Sequence, residues 1–179
     1  MVDYLAIIDK YYFESPELKN ILIVHSRQVS DRALLLASRH PELNIDLQFV
    51  EEASMLHDIG IIYCNAPKIY CFGTHQYIEH GVLGGELLRR EGLPRHAEVA
   101  ERHTGSGITI EQIIREELPL PEKDYCPQTV EEKLICYADK FFSKSHIGEE
   151  VAYDKIRYNI WKYGHDAVLR FDQMREMFE

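Results

Sequence analysis

Four histidines and two aspartates stand in segments of helical hydrophobic spacing, and their residue types are those of metal ligands. The six candidate ligands are His25, His57, Asp58, His80, His103 and Asp139. Neutral imidazole and ionised carboxylate bind Zn, Fe, Mn, Co or Ni, and each is costly to bury without a partner or an ion. Several such groups at apolar positions therefore predict a buried metal centre.

Each candidate ligand taken alone also has an ordinary interpretation. His25 falls on the apolar positions of a helical repeat, where a single histidine is more often a hydrogen-bonded core residue. The adjacent pair His57-Asp58 occurs by chance in many chains. Asp139 is flanked by apolar residues, and a salt bridge to an arginine is the alternative there, because buried acids are generally paired. Only the combination favours a metal.

The segments that must position these residues have helical periodicity nearly throughout. Ser15-Pro16 predicts a cap and a first-turn proline, and the helix continues until His40-Pro41. Further helices are predicted over residues 46–58, closed by Gly60 as a C-terminal cap, and over residues 76–91, 94–103, 109–117, 129–145, 149–163 and 165–178. Residues 61–74 are predicted as a loop that forms a lid or pocket wall, and residues 118–128 as irregular. We expect an all-α helical bundle with a single domain over residues 1–179.

The composition argues against several classes of partner. The chain has 30 acidic and 20 basic residues and a formal charge of −10, so broad phosphate neutralisation, and with it a nucleic-acid partner, is not expected. A small anionic substrate is compatible if bound cations reverse the field inside a pocket. No signal-peptide pattern or membrane span is predicted, so no membrane partner is expected. The four cysteines form no CxxC pair and are expected to be reduced thiols of a cytoplasmic protein.

Three short sequence motifs carry four of the candidate ligands. They are His25-Ser26-Arg27-Gln28-Val29, Met55-Leu56-His57-Asp58-Ile59-Gly60 and Tyr137-Ala138-Asp139-Lys140. In this order they resemble the H…HD…D signature of the HD-domain metal-dependent phosphohydrolases, over roughly residues 20–145. The resemblance implies a helical metal-binding core in that range, with the helices of residues 149–178 packed on it.

Two further motifs resemble the additional histidine elements of the HD subset that holds two metal ions. They are His80-Gly81-Val82-Leu83-Gly84-Gly85-Glu86 and Arg102-His103-Thr104-Gly105. The resemblance implies two divalent transition metal ions, with iron or manganese favoured and Zn, Ni, Co or Mg as alternatives. It also implies that Asp58 bridges the ions, that His25, His57 and Asp139 bind one, and that His80 and His103 bind the other. Within this subset the chain is most similar to small bacterial HD proteins that hydrolyse diadenosine tetraphosphate.

Other residues are candidates for catalysis or for substrate binding. His57 and Asp58 are expected to act in catalysis through the ions that they hold. The remaining candidates are Lys140 for catalysis, His75 as a proton donor, and Lys144, Arg27 and Arg102 for substrate phosphates. Lys140 and Lys144 are expected at the mouth of the pocket. Their alternative, and that of the two arginines, is solvated surface charge, and His75 has the alternative of an ordinary loop residue.

The function that this set of motifs predicts is hydrolysis of a phosphate ester or anhydride by a metal-activated hydroxide at a binuclear centre. The expected partner is a small phosphorylated substrate, a nucleotide or a related molecule. The alternatives are a mononuclear nucleotidase or pyrophosphohydrolase, a non-catalytic nucleotide-binding protein, and an oxygenase on the same scaffold. The aromatic residues Tyr153, Tyr158, Trp161 and Tyr163 fit core packing at helical spacing, with a homodimer interface as the alternative.

Overall fold

The computed structural model describes residues 1–179, and it confirms the predicted all-α architecture. The helices are α1 (Tyr4–Tyr12), α2 (Pro16–Arg39), α3 (Leu47–Leu56), α4 (His80–Arg90), α5 (Pro94–Arg102), α6 (Ile110–Glu116), α7 (Val130–Asp139), α8 (Tyr153–Trp161) and α9 (His165–Phe178). Two small antiparallel hairpins pair β1 (Asn65–Ala66) with β2 (Cys71–Phe72), and β3 (Phe142–Ser143) with β4 (His146–Glu150). None of the helices combines the length and the apolar character that a membrane crossing requires.

The longest helix, α2, packs against α3 and α7 and carries the first candidate ligand. It begins at Pro16, whose fixed φ suits a first helical turn, and ends at Arg39, before Pro41, in agreement with the prediction. Ser15 makes no side-chain capping bond, so the proline is the stronger start signal. His25 lies on the buried face of α2.

Two large apolar clusters form most of the core, and a third, of four buried residues, lies around α6. The larger joins α2, α3, α7, α8 and α9 with Val99 of α5, and packs the ring of Tyr137 against that of Phe171 at a centroid distance of 5.2 Å. The smaller joins α1, the start of α2, α4, α5 and the segment after α3. Helix α1 was not predicted, yet its Ile8 and Tyr12 are fully buried. The Tyr12 hydroxyl donates to the carbonyl of Ile59 (2.7 Å), which ties α1 to the segment that follows α3.

Gly60 has a different role from the predicted one. The prediction that it is a C-terminal cap is wrong, because α3 ends at Leu56 and Gly60 lies inside a 3₁₀ turn, Ile59–Tyr63, without a positive φ. A Cβ at Gly60 would lie 2.1 Å from the carbonyl oxygen of His80 and 2.4 Å from the amide nitrogen of Gly84. Glycine is therefore required because this turn and α4 touch backbone to backbone.

Two helices near the C-terminus are shorter than predicted. The helix expected over residues 129–145 ends at Asp139, and the one expected over residues 149–163 begins only at Tyr153, because the β3–β4 hairpin occupies the chain between them. Phe141 explains the early end. Its ring is buried, and its carbonyl accepts a hydrogen bond from the residue after β4 (2.8 Å), so the chain turns back on itself.

The segment between α3 and α4 is more ordered than a loop. Residues 61–74, predicted as a loop, contain the β1–β2 hairpin. The helix predicted over residues 76–91 is α4 preceded by a 3₁₀ turn at Tyr77–Glu79. This arrangement places the first residue of α4, His80, directly beside the turn that holds Gly60.

Three of the four C-terminal aromatic residues do not belong to the core. Tyr158 is 79% exposed, Trp161 58% and Tyr163 41%, so the prediction of core packing is wrong for them. Tyr153 alone packs inward, with its ring stacked on Phe171 at 5.4 Å. The homodimer interface stays a prediction.

Candidate metal centre

The structure brings all six candidate ligands together at the meeting point of five helical segments. They come from the buried face of α2, the turn after α3, the start of α4, the end of α5 and the end of α7. Their ligand atoms form two groups, within each of which all the atoms lie within 4.8 Å of one another. The first group is His25, His57, Asp58 and Asp139, and the second is Asp58, His80 and His103. All six residues are buried, and Asp58 belongs to both groups.

In the first group, two imidazoles face two carboxylates. His25 Nε2 lies 3.1 Å from Asp58 Oδ2 and 3.0 Å from Asp139 Oδ1. His57 Nε2 lies 3.0 Å and 3.4 Å from the same two oxygens. Burial by itself would lower the pKa of His57, but Asp58 and Asp139 raise it to about 9. The group thus carries dense negative charge that favours a cation.

In the second group, the other oxygen of Asp58 faces two more imidazoles. Asp58 Oδ1 lies 3.4 Å from His80 Nε2 and 3.3 Å from His103 Nε2. The two Nε2 atoms are 3.1 Å apart. One carboxylate therefore points one oxygen into each group, which is the arrangement of a bridging ligand.

Backbone carbonyls fix the orientation of three of the four imidazoles. In each case the ring Nδ1 lies at hydrogen-bond distance from the carbonyl three residues earlier. The three bonds are His57 to Ser54 (2.6 Å), His80 to Tyr77 (2.6 Å) and His103 to Ala100 (2.8 Å). Since a carbonyl only accepts, we assign a proton to Nδ1, so Nε2 is the ring atom that faces the centre and would bind a metal, after losing its own proton in the case of His57. His25 Nδ1 has no such partner.

These tautomers test whether the residues fit a metal. With both protons on Nδ1, the Nε2 lone pairs of His80 and His103 face each other at 3.1 Å and repel. Burial lowers the pKa of His80 to about 3 and also lowers that of His103, so a proton between the two rings does not relieve the repulsion at neutral pH. His57 Nε2 and Asp58 Oδ1 are buried without a hydrogen bond of standard geometry, and Asp58 Oδ2 has only an ion pair with Lys144. A divalent ion in each group would satisfy all these atoms.

Two lysines contact the carboxylates of the centre. Lys140 Nζ lies 2.5 Å from Asp139 Oδ2, and Lys144 Nζ lies 2.5 Å from Asp58 Oδ2. Although burial opposes it, His57 and Lys144 hold the pKa of Asp58 well below its usual range. Lys144 also lines the cavity described below, but its side chain is only 13% exposed and reaches the bridging carboxylate itself, so it lies closer to the centre than the predicted pocket mouth.

The two arginines predicted to bind substrate lie elsewhere. Arg27 pairs with Glu51 (3.1 Å), and Arg102 donates to both oxygens of Glu132 at 3.0 Å. Each belongs to a helix that carries a ligand, but neighbours one or two positions apart on a helix point in different directions. Neither arginine lines the cavity described below, so the structure does not bring them to the centre and their substrate contacts stay a prediction.

His75 is also outside the centre. Its side chain is 45% exposed, and its Nδ1 lies 3.0 Å from Glu79 Oε1. It does not line the cavity, which favours the ordinary loop interpretation over the predicted proton donor.

Tyr77 was missed by the sequence reasoning. Its carbonyl accepts the His80 bond, and its ring stacks on the His80 imidazole with centroids 4.8 Å apart. The signal was available, because a ligand histidine at the start of a helix needs an acceptor for its other ring nitrogen, and position i−3 supplies one.

A cavity of about 580 Å³ opens beside the centre. Asp139, Lys140 and Lys144 form its wall on the side of the centre, and Tyr77 also lines it. Residues of the 61–74 segment contribute to the wall, in agreement with the predicted pocket wall. The volume falls in the range of pockets that take small organic ligands.

Comparison with known proteins gives one family and several relatives. The family described as HD domain matches residues 22–143. An uncharacterized protein of Methanocaldococcus jannaschii is 42% identical over 129 residues, which are 68% of this chain and 69% of that protein.

Two tRNA (cytidine(56)-2'-O)-methyltransferases also match. The one from Picrophilus torridus is 33% identical over 165 residues, 91% of this chain and 43% of that protein. The one from Thermoplasma volcanium is 34% identical over 123 residues, 68% of this chain and 32% of that protein. The match therefore spans less than half the length of each methyltransferase. No solved structure matches the chain.

Proposed function

Since the chain belongs to the HD domain family, we propose that it is a metal-dependent phosphohydrolase with two divalent ions held by the six candidate ligands. The substrate is a phosphate ester or anhydride of a nucleotide or a related small molecule. Within the family, we assign it to the small binuclear branch that includes diadenosine tetraphosphate hydrolases, on the basis of the His80 and His103 motifs.

The observation that carries the proposal is the position of Asp58 between two sets of imidazole Nε2 atoms. Its Oδ2 faces His25 and His57, and its Oδ1 faces His80 and His103, all at 3.0–3.4 Å. A single-ion site needs only the first set. A second set with its own fixed tautomers supports a second ion.

Bound divalent ions would supply a hydroxide nucleophile near neutral pH and offset the charge that develops on the phosphoryl group. The chain contributes a ligand set whose charge leaves the metal-loaded site able to attract a phosphate. The two ligand carboxylates carry less charge than two divalent ions, so the site is net positive even though the chain has a formal charge of −10. Lys140 and Lys144 add two ammonium groups beside the carboxylates, at the edge where the cavity begins. We assign to them the orientation of non-reacting phosphoryl oxygens.

The ligand set narrows the choice of metal. Imidazole and carboxylate without thiolate suit Fe, Mn, Co, Ni or Zn. No cysteine belongs to either ligand group. We favour iron or manganese, which is the preference that the family resemblance implies.

The test is elemental analysis of protein purified without chelator, followed by a phosphate-release assay on mononucleotides, dinucleotides and simple phosphate esters. We expect about two ions per chain and phosphate release that Asp58→Ala abolishes. About one ion per chain would favour the mononuclear alternative. Two ions without phosphate release from any substrate would refute the phosphohydrolase, and oxygen consumption by the reduced iron form would identify an oxygenase.

A second candidate is a role linked to tRNA, favoured by the match of 91% of this chain to a protein named as a tRNA methyltransferase. Because the match covers only 43% of that protein, the named activity and the matched segment need not coincide. We rank this candidate second, since the acidic chain does not suit binding by phosphate neutralisation. Methyl transfer from S-adenosylmethionine to tRNA by the purified chain would reverse the ranking.

A further inference from the structure

The cavity beside the metal centre has the opposite charge to the rest of the chain. Four of the nine lysines in the sequence line it, and Asp139 is the one carboxylate among its lining residues. The lysines are Lys68, Lys140, Lys144 and Lys162. In a chain with 30 acidic and 20 basic residues, such a concentration of positive charge on one concave surface indicates an anionic ligand.

Two of these lysines are not explained by the centre. Lys140 and Lys144 pair with Asp139 and Asp58, whereas Lys68 and Lys162 make no ion pair within 4.0 Å. Both are exposed, so their ammonium groups are available to a ligand. Lys68 lies between β1 and β2, and Lys162 follows α8, which is outside the residues 22–143 that match the family.

The rest of the cavity wall is largely apolar. Eight of its seventeen lining residues are hydrophobic, among them Ile69, Phe142 and Ile156. Such a wall accommodates the organic part of a ligand and leaves the lysines as its charged contacts. The cavity of about 580 Å³ is also larger than a single phosphate group requires.

We infer that Lys68 and Lys162 form a second anion subsite, which binds a second phosphate group of a small organic substrate while the metal centre holds the reacting one. This inference rests on the proposed function, because it takes the reacting phosphoryl group to lie at the metal centre. It names the substrate class as doubly phosphorylated small molecules, and it names two specificity residues that belong to none of the ligand motifs.

The test uses the metal-loaded protein and probes that cannot be hydrolysed. Alkane-1,n-bisphosphonates of three to eight carbons are compared by calorimetry with alkylphosphonates of the same lengths, at low ionic strength where exposed charges are least screened. We expect the best bisphosphonate to bind about tenfold more tightly than its monophosphonate, as two exposed lysine contacts allow. The Lys68→Gln/Lys162→Gln double variant should lose this advantage and keep its monophosphonate affinity within about twofold.

Lys155→Gln is the matched control, because Lys155 is exposed on α8, makes no ion pair and does not line the cavity. It should keep the bisphosphonate advantage. Equal binding of the two probes by the wild type, or an advantage that survives in the double variant, would overturn the second subsite. Circular dichroism and metal content establish that each variant is folded and loaded.

The two proposals fail separately. Phosphate release by the wild type, together with an unchanged bisphosphonate advantage in the double variant, would leave the phosphohydrolase standing without the subsite. If the bisphosphonate advantage depends on the two lysines but the protein releases no phosphate, the subsite is supported and the hydrolase is refuted.

Discussion

Replacing Gly60 with alanine should destabilise the protein and disturb one metal group more than the other. The added Cβ would lie 2.1 Å from the carbonyl oxygen of His80, 2.4 Å from the amide nitrogen of Gly84 and 2.9 Å from its Cα. Real Cβ atoms essentially never approach other heavy atoms closer than 3.0 Å. Since all three contacts are backbone atoms, no side-chain rotation relieves them, and the turn or α4 must move by about 1 Å.

The expected cost follows from this overlap. Overpacking typically costs about 1–3 kcal/mol, and the backbone contacts put Gly60→Ala at the upper end, about 3 kcal/mol. For a chain of this size that corresponds to a fall of about 6–12 °C in Tm. Because the clash meets the backbone of His80 itself, we also expect weaker binding of the ion held by His80 and His103.

Gly84→Ala is the matched control for this substitution. Its Cβ would lie 3.1 Å from the Gly60 amide nitrogen and 3.6 Å from the Ala100 Cβ, and the gain in helix propensity of about 1 kcal/mol offsets much of that contact. Urea denaturation and metal content measure both variants. If Gly60→Ala were as stable as Gly84→Ala and kept two ions, the argument from backbone contact would be refuted.

Three further predictions concern the metal groups and a buried pair outside them. Asp58→Ala should remove both ions, whereas His80→Ala should remove about one, as measured by elemental analysis; equal losses would contradict a shared carboxylate. Removal of the metal by a chelator should lower Tm, because an ion present at about 100 times its Kd stabilises the folded state by about 2.7 kcal/mol, and an unchanged melting curve would argue against occupied sites. His96 is buried, with its Nε2 3.3 Å from Glu52 Oε2, and burial lowers its pKa from 6.5 despite that carboxylate. The unfolded chain therefore binds more protons than the folded one, and the free energy of unfolding should fall as the pH drops below about 6.5. Urea unfolding at pH 7.5 and 5.5 should therefore show a steeper acid loss for the wild type than for His96→Gln, and parallel losses would exclude this contribution.

Local sequence signals predict the helix ends that are set by a residue's own chemistry, such as a proline or a capping side chain. Helix α2 starts at Pro16 and ends before Pro41 because proline fixes φ and lacks an amide hydrogen, wherever it sits in the fold. Thr129 likewise caps α7, since its side chain accepts from the amide of Glu132 as the sequence pattern predicts. The other end of α7 depends on Phe141 entering the core, which no local pattern contains.

The same distinction applies to the metal centre. The six candidate ligands were predictable because ligand chemistry restricts residue type, and the motifs fix their order along the chain. The errors concern side chains whose direction depends on neighbouring helices. Arg102 precedes a candidate ligand directly, yet the buried carboxylate of Glu132 on α7 holds it away from the centre. The contact of Lys144 with Asp58 was not predicted, because it depends on the β3–β4 hairpin, which carries Lys144 back to the centre.

The position of several candidate ligands at helix ends explains how the fold orients them and why the centre favours a cation. His57 and His103 directly follow the last residues of α3 and α5, and Asp139 is the last residue of α7. The final carbonyls of a helix lack partners within the helix, and here two of them, those of Ser54 and Ala100, accept the Nδ1 hydrogens that set the ligand tautomers. The C-terminal end of a helix also carries partial negative charge, so the three such ends that meet at the centre favour a cation there and outnumber the one N-terminal end, that of α4. The same two hydrogen bonds thus satisfy carbonyls at the helix ends and orient the metal ligands. An insertion that lengthened α3 or α5 by one turn would therefore disrupt both the helix end and the ligand orientation.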